Sequence, residues 1–78
     1  MIRFKLRELL ADMEFKVGKR VTIKEVSEKT SINRVTLSKI INQKGYSTTT
    51  EVIDKLCEFF DCDVQELMQR VSQTDNVE

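Results

Sequence analysis

Hydrophobic residues recur at the spacing of an amphipathic helix near the N-terminus of this 78-residue chain. The apolar stripe consists of Ile2, Leu6, Leu9, Leu10 and Met13. This period predicts a first helix from residue 3 to about residue 14. The basic segment that follows, residues 15–21, contains Gly18 close to two valines. A small hairpin around Gly18 is one interpretation, but a loop or an extension of the first helix is favoured.

The next segment, residues 22–32, predicts a second, short helix that ends in a turn. Thr22 followed by Glu25 has the spacing of a capping box, so this helix is predicted to begin at Ile23. The run Thr-Ser-Ile at residues 30–32 favours turns and extended backbone. We therefore expect the helix to stop there.

A third helix is predicted from Arg34 to about Asn42, because Asn33 is a good N-cap. Its apolar face consists of Leu37, Ile40 and Ile41, at helical spacing. Two short helices joined by a tight turn, with a polar outward face on the second, are typical of a helix that enters a groove.

The C-terminal third of the chain predicts two further helices. A loop over residues 43–48 precedes them, and its Gly45 is free to adopt the positive φ common after a helix end. The fourth helix is capped either by Thr48, which has capping-box spacing to Glu51, or by Thr49. Its core face contains Ile53, Leu56, Cys57 and Phe60, with Val52 and Phe59 at the margins.

A short break at residues 61–62 separates the fourth helix from the fifth. Asp63 and Glu66 resemble another capping box at the start of the fifth helix. Its apolar residues at helical spacing are Val64, Leu67, Met68 and Val71. The sequence therefore predicts an all-α fold, a compact five-helix bundle that forms one domain over residues 1–71. The last residues, 72–78, have no periodicity and are expected to form a disordered tail.

The net charge is zero, but the charges are unevenly distributed. Residues 1–49 carry eleven Lys or Arg and five Asp or Glu, a net charge of +6, whereas residues 50–78 have a net charge of −6. The predicted third helix, residues 34–42, contains no acidic residue. Such a domain can face a polyanion with one side. An ordinary solvated surface is the alternative interpretation of this asymmetry.

The composition gives little support for an enzyme. The chain has no histidine and no phosphate-binding glycine pattern. Cys57 and Cys62 do not form a CxxC pair and lack partners for zinc, so we expect two buried, unreactive cysteines on different helices. No catalytic residue, metal ligand or cofactor is predicted.

The sequence also predicts a cytoplasmic protein. No segment approaches the roughly 18 consecutive apolar residues of a membrane span. The N-terminus alternates charged and apolar residues, unlike the continuous apolar stretch of a signal peptide. Two cysteines without an export signal favour a reducing compartment.

Two stretches, VTIKEVSEKTSINRVTLSKIIN and EVIDKLCEFFDCDVQELM, resemble the lambda-repressor-like DNA-binding domain of the Cro and phage-repressor (XRE-type) family. The first is similar to helix 2, the turn and helix 3 of that family, and the second to its last two helices. The resemblance covers roughly residues 3–70 and is strongest to short members that consist of this domain alone.

The chain departs from the family pattern at three positions of the helix-turn-helix. Ser27 stands where Ala or Gly is usual, and it is small enough to replace them. Ser31 occupies the place of the turn glycine, so a positive φ there would be mildly strained. Ile23 stands where the family often has a glutamine that bonds phosphate, and it cannot make that contact.

The resemblance implies that the N-terminal half of the third helix reads base edges in the major groove. Carried over by position, the base-reading residues are Arg34, Val35, Ser38 and Lys39. The phosphate contacts carried over or placed on the same face are Thr36, Asn42, Lys44, Lys19, Arg20, Lys24 and Tyr46. Val35 has an alternative place in the core. Arg34 lies at the unfavourable positive end of the helix dipole, which favours a functional role for this cation.

The predicted function is a sequence-specific transcription regulator, a repressor, that binds double-stranded DNA. The resemblance implies a homodimer on a two-fold operator with half-sites about one helical turn apart. The alternative is a protein-binding helical module, such as an antitoxin. Its partner would contact the fifth helix, if Met68 and Val71 exceed what a small core can bury. The other interpretation is that these two residues close the core.

Overall fold

The computed structural model describes residues 1–72, which form five helices and two short strands. In chain order these elements are β1 (Ile2–Phe4), α1 (Leu6–Val17), α2 (Ile23–Thr30), α3 (Arg34–Asn42), α4 (Thr50–Phe60), α5 (Val64–Leu67) and β2 (Met68–Arg70). The predicted five-helix fold is confirmed, with a small sheet in addition. Residues 73–78 lie outside the described part of the chain, so the predicted tail and domain boundary stay predictions.

The first helix is present, but the prediction that it begins at residue 3 was wrong, because residues 2–4 form a strand. β1 pairs antiparallel with β2, with Ile2 opposite Arg70 and Phe4 opposite Met68. The ladder continues beyond the strands, because the Lys5 amide donates to the carbonyl of Leu67 at 2.6 Å. Ile2 therefore lies apart from the stripe of α1 and is 37% exposed.

The C-terminal segment also departs from the predicted fifth helix. α5 is a single turn, and of its residues only Leu67 is buried. Met68 continues into β2 and is half-buried, and Val64 is 52% exposed. The backbone leaves the helix after Leu67 because β1 offers it a strand partner, so the helical spacing of Val64, Met68 and Val71 does not describe one face.

The connection between α1 and α2 is an extended first helix followed by a loop, as favoured from the sequence, and not a hairpin. α1 continues to Val17 and ends at Gly18, whose φ of 74° is left-handed and whose amide donates to the Glu14 carbonyl. The Glu14 carboxylate accepts a hydrogen bond from the Val21 amide at 2.9 Å. This bond holds the start of α2 against the end of α1.

The caps of α4 and α5 settle two predictions. Thr49, not Thr48, caps α4, because its side chain accepts from the Val52 amide at 3.2 Å. The predicted capping box of α5 is confirmed, with the Asp63 amide donating to the Glu66 carboxylate at 3.0 Å. The predicted break before it is confirmed by the left-handed Asp61 (φ 53°).

The core lies between α2, α3 and α4, closed at one end by α1 and α5. Its buried hydrophobic residues are Leu6, Val21, Val26, Ile32, Leu37, Ile40, Ile53, Leu56 and Leu67. α3 contributes only Leu37 and Ile40 as fully buried residues, so most of its surface faces outward. No helix within residues 1–72 has the length and apolar content needed to cross a membrane.

Candidate nucleic-acid interface

The turn between α2 and α3 is held by side chains of α2. The hydroxyl of Ser27 donates to the Ile32 carbonyl at 2.6 Å, and that of Thr30 donates to the Val26 carbonyl at 2.7 Å. Thr22 caps α2 by accepting from the Glu25 amide, and Asn33 caps α3 by accepting from the Val35 amide at 2.7 Å. Both predicted caps are confirmed. The bond from Ser27 to Ile32 links α2 to the turn before α3, and the Ile32 amide also donates to the Thr30 hydroxyl at 3.3 Å.

Ser31 adopts the left-handed conformation expected of the turn glycine that it replaces, with φ at 62°. This region costs L-residues free energy that glycine does not lose. We expect Ser31→Gly to raise the free energy of unfolding by up to about 1 kcal/mol, measured by urea denaturation. Ser31→Ala is the matched control, because it removes the hydroxyl and keeps the Cβ. Equal stability changes in both variants would contradict the strain argument.

One face of α3 is exposed and contains all four residues predicted to read bases, together with one of the predicted phosphate contacts. Its exposed side chains are Arg34, Val35, Ser38, Lys39 and Asn42. Val35 is 59% exposed, so the alternative that placed it in the core was wrong. Thr36 is half-buried and lies around the helix between Lys39 and the buried Ile40, at the margin of this face. The exposed set defines a surface of about two turns, here called the α3 face.

The C-terminal half of the α3 face is ordered by contacts with neighbouring elements. The Lys39 ammonium lies over the ring of Tyr46, 5.9 Å from its centroid. Asn42 accepts a hydrogen bond from the Arg7 guanidinium at 2.9 Å, and its amide group donates to the Ser38 hydroxyl at 3.3 Å. Lys44 is exposed in the loop that follows α3. Three of the predicted phosphate-contacting residues, Asn42, Lys44 and Tyr46, therefore lie together at this end.

The other predicted phosphate contacts divide between two places. Lys24 and Arg34 line one open depression between α2 and the start of α3, which also contains the acidic Glu28. Lys19 and Arg20 line a separate depression at the end of α1, to which no residue of α3 contributes. The structure thus brings Lys24 to the α3 face and leaves the basic pair of the connection apart from it.

Arg7 is the residue of this surface that the sequence did not indicate. It lies on α1, which packs against α3, and its partner is 35 positions away in the chain. Its charge and exposure resemble those of any solvated arginine. Only the position of α1 against the end of α3 identifies its partner, so no local pattern could have predicted the contact.

The two cysteines differ from their predicted state. Cys57 lies on α4 and Cys62 in the turn that follows, and both are free and half-buried. Burial, together with the neighbouring Cys57 thiol and the carboxylates of Glu66 and Asp63, raises the pKa of Cys62 to about 11. Cys62 is therefore a protonated thiol at neutral pH, which agrees with the predicted low reactivity of that residue.

The fold and the α3 face together define a helix-turn-helix domain whose second helix presents an exposed surface without acidic residues. Residues 5–73 match the family described as the Cro/C1-type HTH (helix-turn-helix) DNA-binding domain. Because the match covers most of the chain, the protein belongs to this family. No curated protein and no solved structure matches the chain at a significant level. The family identifies the chain as a DNA-binding regulator.

Proposed function

We propose that this protein is a sequence-specific transcriptional repressor that inserts α3 into the major groove of double-stranded DNA. The observation that carries the proposal is the α3 face, a contiguous exposed surface that contains two cations and no acidic residue. An α-helix fits the major groove, where each base pair presents a distinct pattern of donors and acceptors. The hydrogen bonds of Ser27 and Thr30 with Ile32 link α2 to the turn that precedes α3.

Each residue of the α3 face has a role that suits its chemistry. Arg34 makes a bidentate contact with O6 and N7 of guanine, and Lys39 reaches the same kind of acceptor one turn later. Val35, exposed and apolar, contacts the methyl group of a thymine. Ser38 makes a hydrogen bond with a base edge between them.

Phosphate contacts surround the α3 face and supply affinity and register rather than sequence choice. At the C-terminal end of α3 these residues are Asn42, Lys44 and Tyr46, and around its N-terminal half they are Thr36 and Lys24. Lys19 and Arg20, which lie apart from the α3 face at the end of α1, are proposed as outer contacts of a longer duplex. The net charge of +6 in residues 1–49 favours this arrangement.

The operator of this repressor is proposed to be two-fold symmetric and bound by a homodimer in the cytoplasm. One α3 face is too short to read more than a few base pairs, so a second copy about one helical turn away would supply the remaining specificity. Family membership supports this geometry.

The test is enrichment of a random duplex pool on the protein over several rounds, followed by fluorescence-anisotropy titrations at several salt concentrations. A recovered motif with two-fold symmetry, and a logarithm of affinity that falls linearly with the logarithm of salt, is the expected result. Failure to enrich any sequence, with weak binding even at low salt, would overturn the proposal. A motif without symmetry would overturn the dimer alone.

Protein binding, as in an antitoxin, is the second candidate, and one observation favours it. Phe15 on α1 is 89% exposed and lies outside the core. The sequence analysis placed the partner contact at Met68 and Val71 instead. Both residues are half-buried, so they offer a partner less surface than Phe15 does. A partner contact through α5 would have to use the exposed Val64. Phe15→Ser would leave DNA affinity unchanged and abolish capture of a protein partner.

A further inference from the structure

Three polar side chains join α1 to the α3 face in a continuous chain of hydrogen bonds. The Arg7 guanidinium contacts the side-chain oxygen of Asn42 at 2.9 Å, and the Asn42 nitrogen contacts the Ser38 hydroxyl at 3.3 Å. Asn42 and Ser38 are one helical turn apart on α3, whereas Arg7 comes from a different helix. The chain ends at a residue in the centre of the α3 face.

The chemistry of arginine fixes the direction of this chain. A guanidinium group has only donors, so the Asn42 amide must turn its oxygen toward Arg7 and its NH₂ group toward Ser38. The Ser38 oxygen therefore accepts a hydrogen bond. Within residues 1–72 no protein group accepts a hydrogen bond from the Ser38 hydroxyl. That proton is available at the outward surface.

We propose that Arg7 is a positioning residue that makes Ser38 a hydrogen-bond donor to the base edge it faces. The inference rests on the proposed function and deepens it, because it states which atoms Ser38 selects. Those atoms are the acceptors of the major groove: N7 of a purine, O6 of guanine and O4 of thymine. The amino groups of adenine and cytosine are themselves donors, so they cannot accept the proton that Ser38 donates.

The sequence alone leaves Ser38 able to donate or accept, and therefore without base preference. The Asn42 amide occupies one of its acceptor positions and polarises the hydroxyl toward donation. In the free protein all three side chains are exposed, so water competes with these bonds and their contribution to stability is small. Against a duplex the same groups lose that water, and the direction of the chain then determines which base-edge atoms Ser38 contacts.

The experiment measures how strongly the protein discriminates between base pairs. This quantity distinguishes the positioning of Ser38 by Arg7 from a simple loss of the Arg7 charge. On the enriched operator, affinities of the wild type are determined for all single base-pair substitutions. The position read by Ser38 is the one at which Ser38→Ala lowers discrimination. Arg7→Met is expected to lower discrimination at that same position by about 2- to 10-fold, the loss of one hydrogen bond. Discrimination at the position read by Arg34 is expected to stay unchanged.

Matched variants isolate the effect. Arg7→Lys keeps both the charge and a donor for Asn42. Its base discrimination is therefore expected to stay close to that of the wild type, unlike that of Arg7→Met. Arg3→Met removes the same charge near the same end of the chain, but Arg3 pairs with Glu8 at 2.9 Å, so its discrimination should equal that of the wild type. In a Ser38→Ala background, Arg7→Met should change discrimination no further. Discrimination is the ratio of the affinities for the operator and for a substituted operator. A loss of phosphate attraction lowers both affinities alike and cancels in this ratio.

The outcomes separate this inference from the proposed function. A wild type that enriches no sequence would overturn both, because there would be no base readout for Arg7 to direct. A wild type that recognises an operator, with an Arg7→Met variant of unchanged discrimination, would overturn the role of Arg7 alone. Uniform loss of discrimination at every position would also overturn it, since that result indicates a general disturbance of α3.

Discussion

Replacement of Leu67 by alanine is expected to lower the free energy of unfolding by about 2–5 kcal/mol. The side chain is fully buried, where α5 ends and β2 begins. Its loss leaves a cavity at the point where β1 and β2 join the core, and the Lys5 amide donates to the carbonyl of the same residue. A domain of this size has a total stability of roughly 4–12 kcal/mol. Urea denaturation followed by circular dichroism measures the change.

Val64→Ala is the control for this prediction, because both residues lie in the single turn of α5. Val64 is 52% exposed, so its truncation should change the free energy of unfolding by no more than about 0.5 kcal/mol. The longer fifth helix predicted from the sequence would place both residues on one buried face. Similar losses in the two variants would therefore contradict the observed ending of α5 and favour that helix.

The elements predicted well from the sequence are those defined by local signals. Thr22, Asn33 and Asp63 each cap a helix at the predicted place, because a cap depends on residues within three positions of it. The choice between Thr48 and Thr49 for α4 was left open, since the adjacent hydroxyls have nearly the same spacing. Local chemistry thus fixed the helix-turn-helix and its boundaries.

The small sheet was missed because nothing local encodes it. β1 and β2 are three residues each and pair residues more than 60 positions apart. Ile2 and Met68 also continue the helical spacing of their neighbours, so the apolar period predicts helix in both segments. The backbone pairing, made possible when the two ends meet, overrides that period.

The candidate site was predicted in outline but not in its connections. The i, i+3, i+4 pattern of Leu37, Ile40 and Ile41 placed the buried side of α3, and the exposed face followed from it. The sequence left open whether Val35 lies in the core or on the exposed face, and the structure places it on the exposed face. The bond between Arg7 and Asn42 depends on the packing of α1 against α3, and so it could be found only in the folded chain.

Replacement of Arg34 by alanine is expected to weaken binding to the operator by about 1–3 kcal/mol, roughly 5- to 150-fold in affinity. Arg34 is exposed at the first turn of α3, where its fork of donors suits O6 and N7 of guanine. Truncation leaves those acceptors without a partner, so preference for guanine at one position should also be lost. Anisotropy titrations with the operator, its substituted versions and a random duplex measure both effects.

Lys44→Ala is the control for Arg34→Ala, because it removes a proposed phosphate contact instead of a base contact. Lys44 lies in the loop after α3 and is proposed to contact phosphate, so its loss should weaken operator and random duplex alike. It should also reduce the slope of affinity against salt by about one unit. Arg34→Ala should instead act mainly on the operator. Equal losses on specific and random duplexes for Arg34→Ala would mean that Arg34 binds the backbone, and the assignment of base readout to the first turn of α3 would then be wrong.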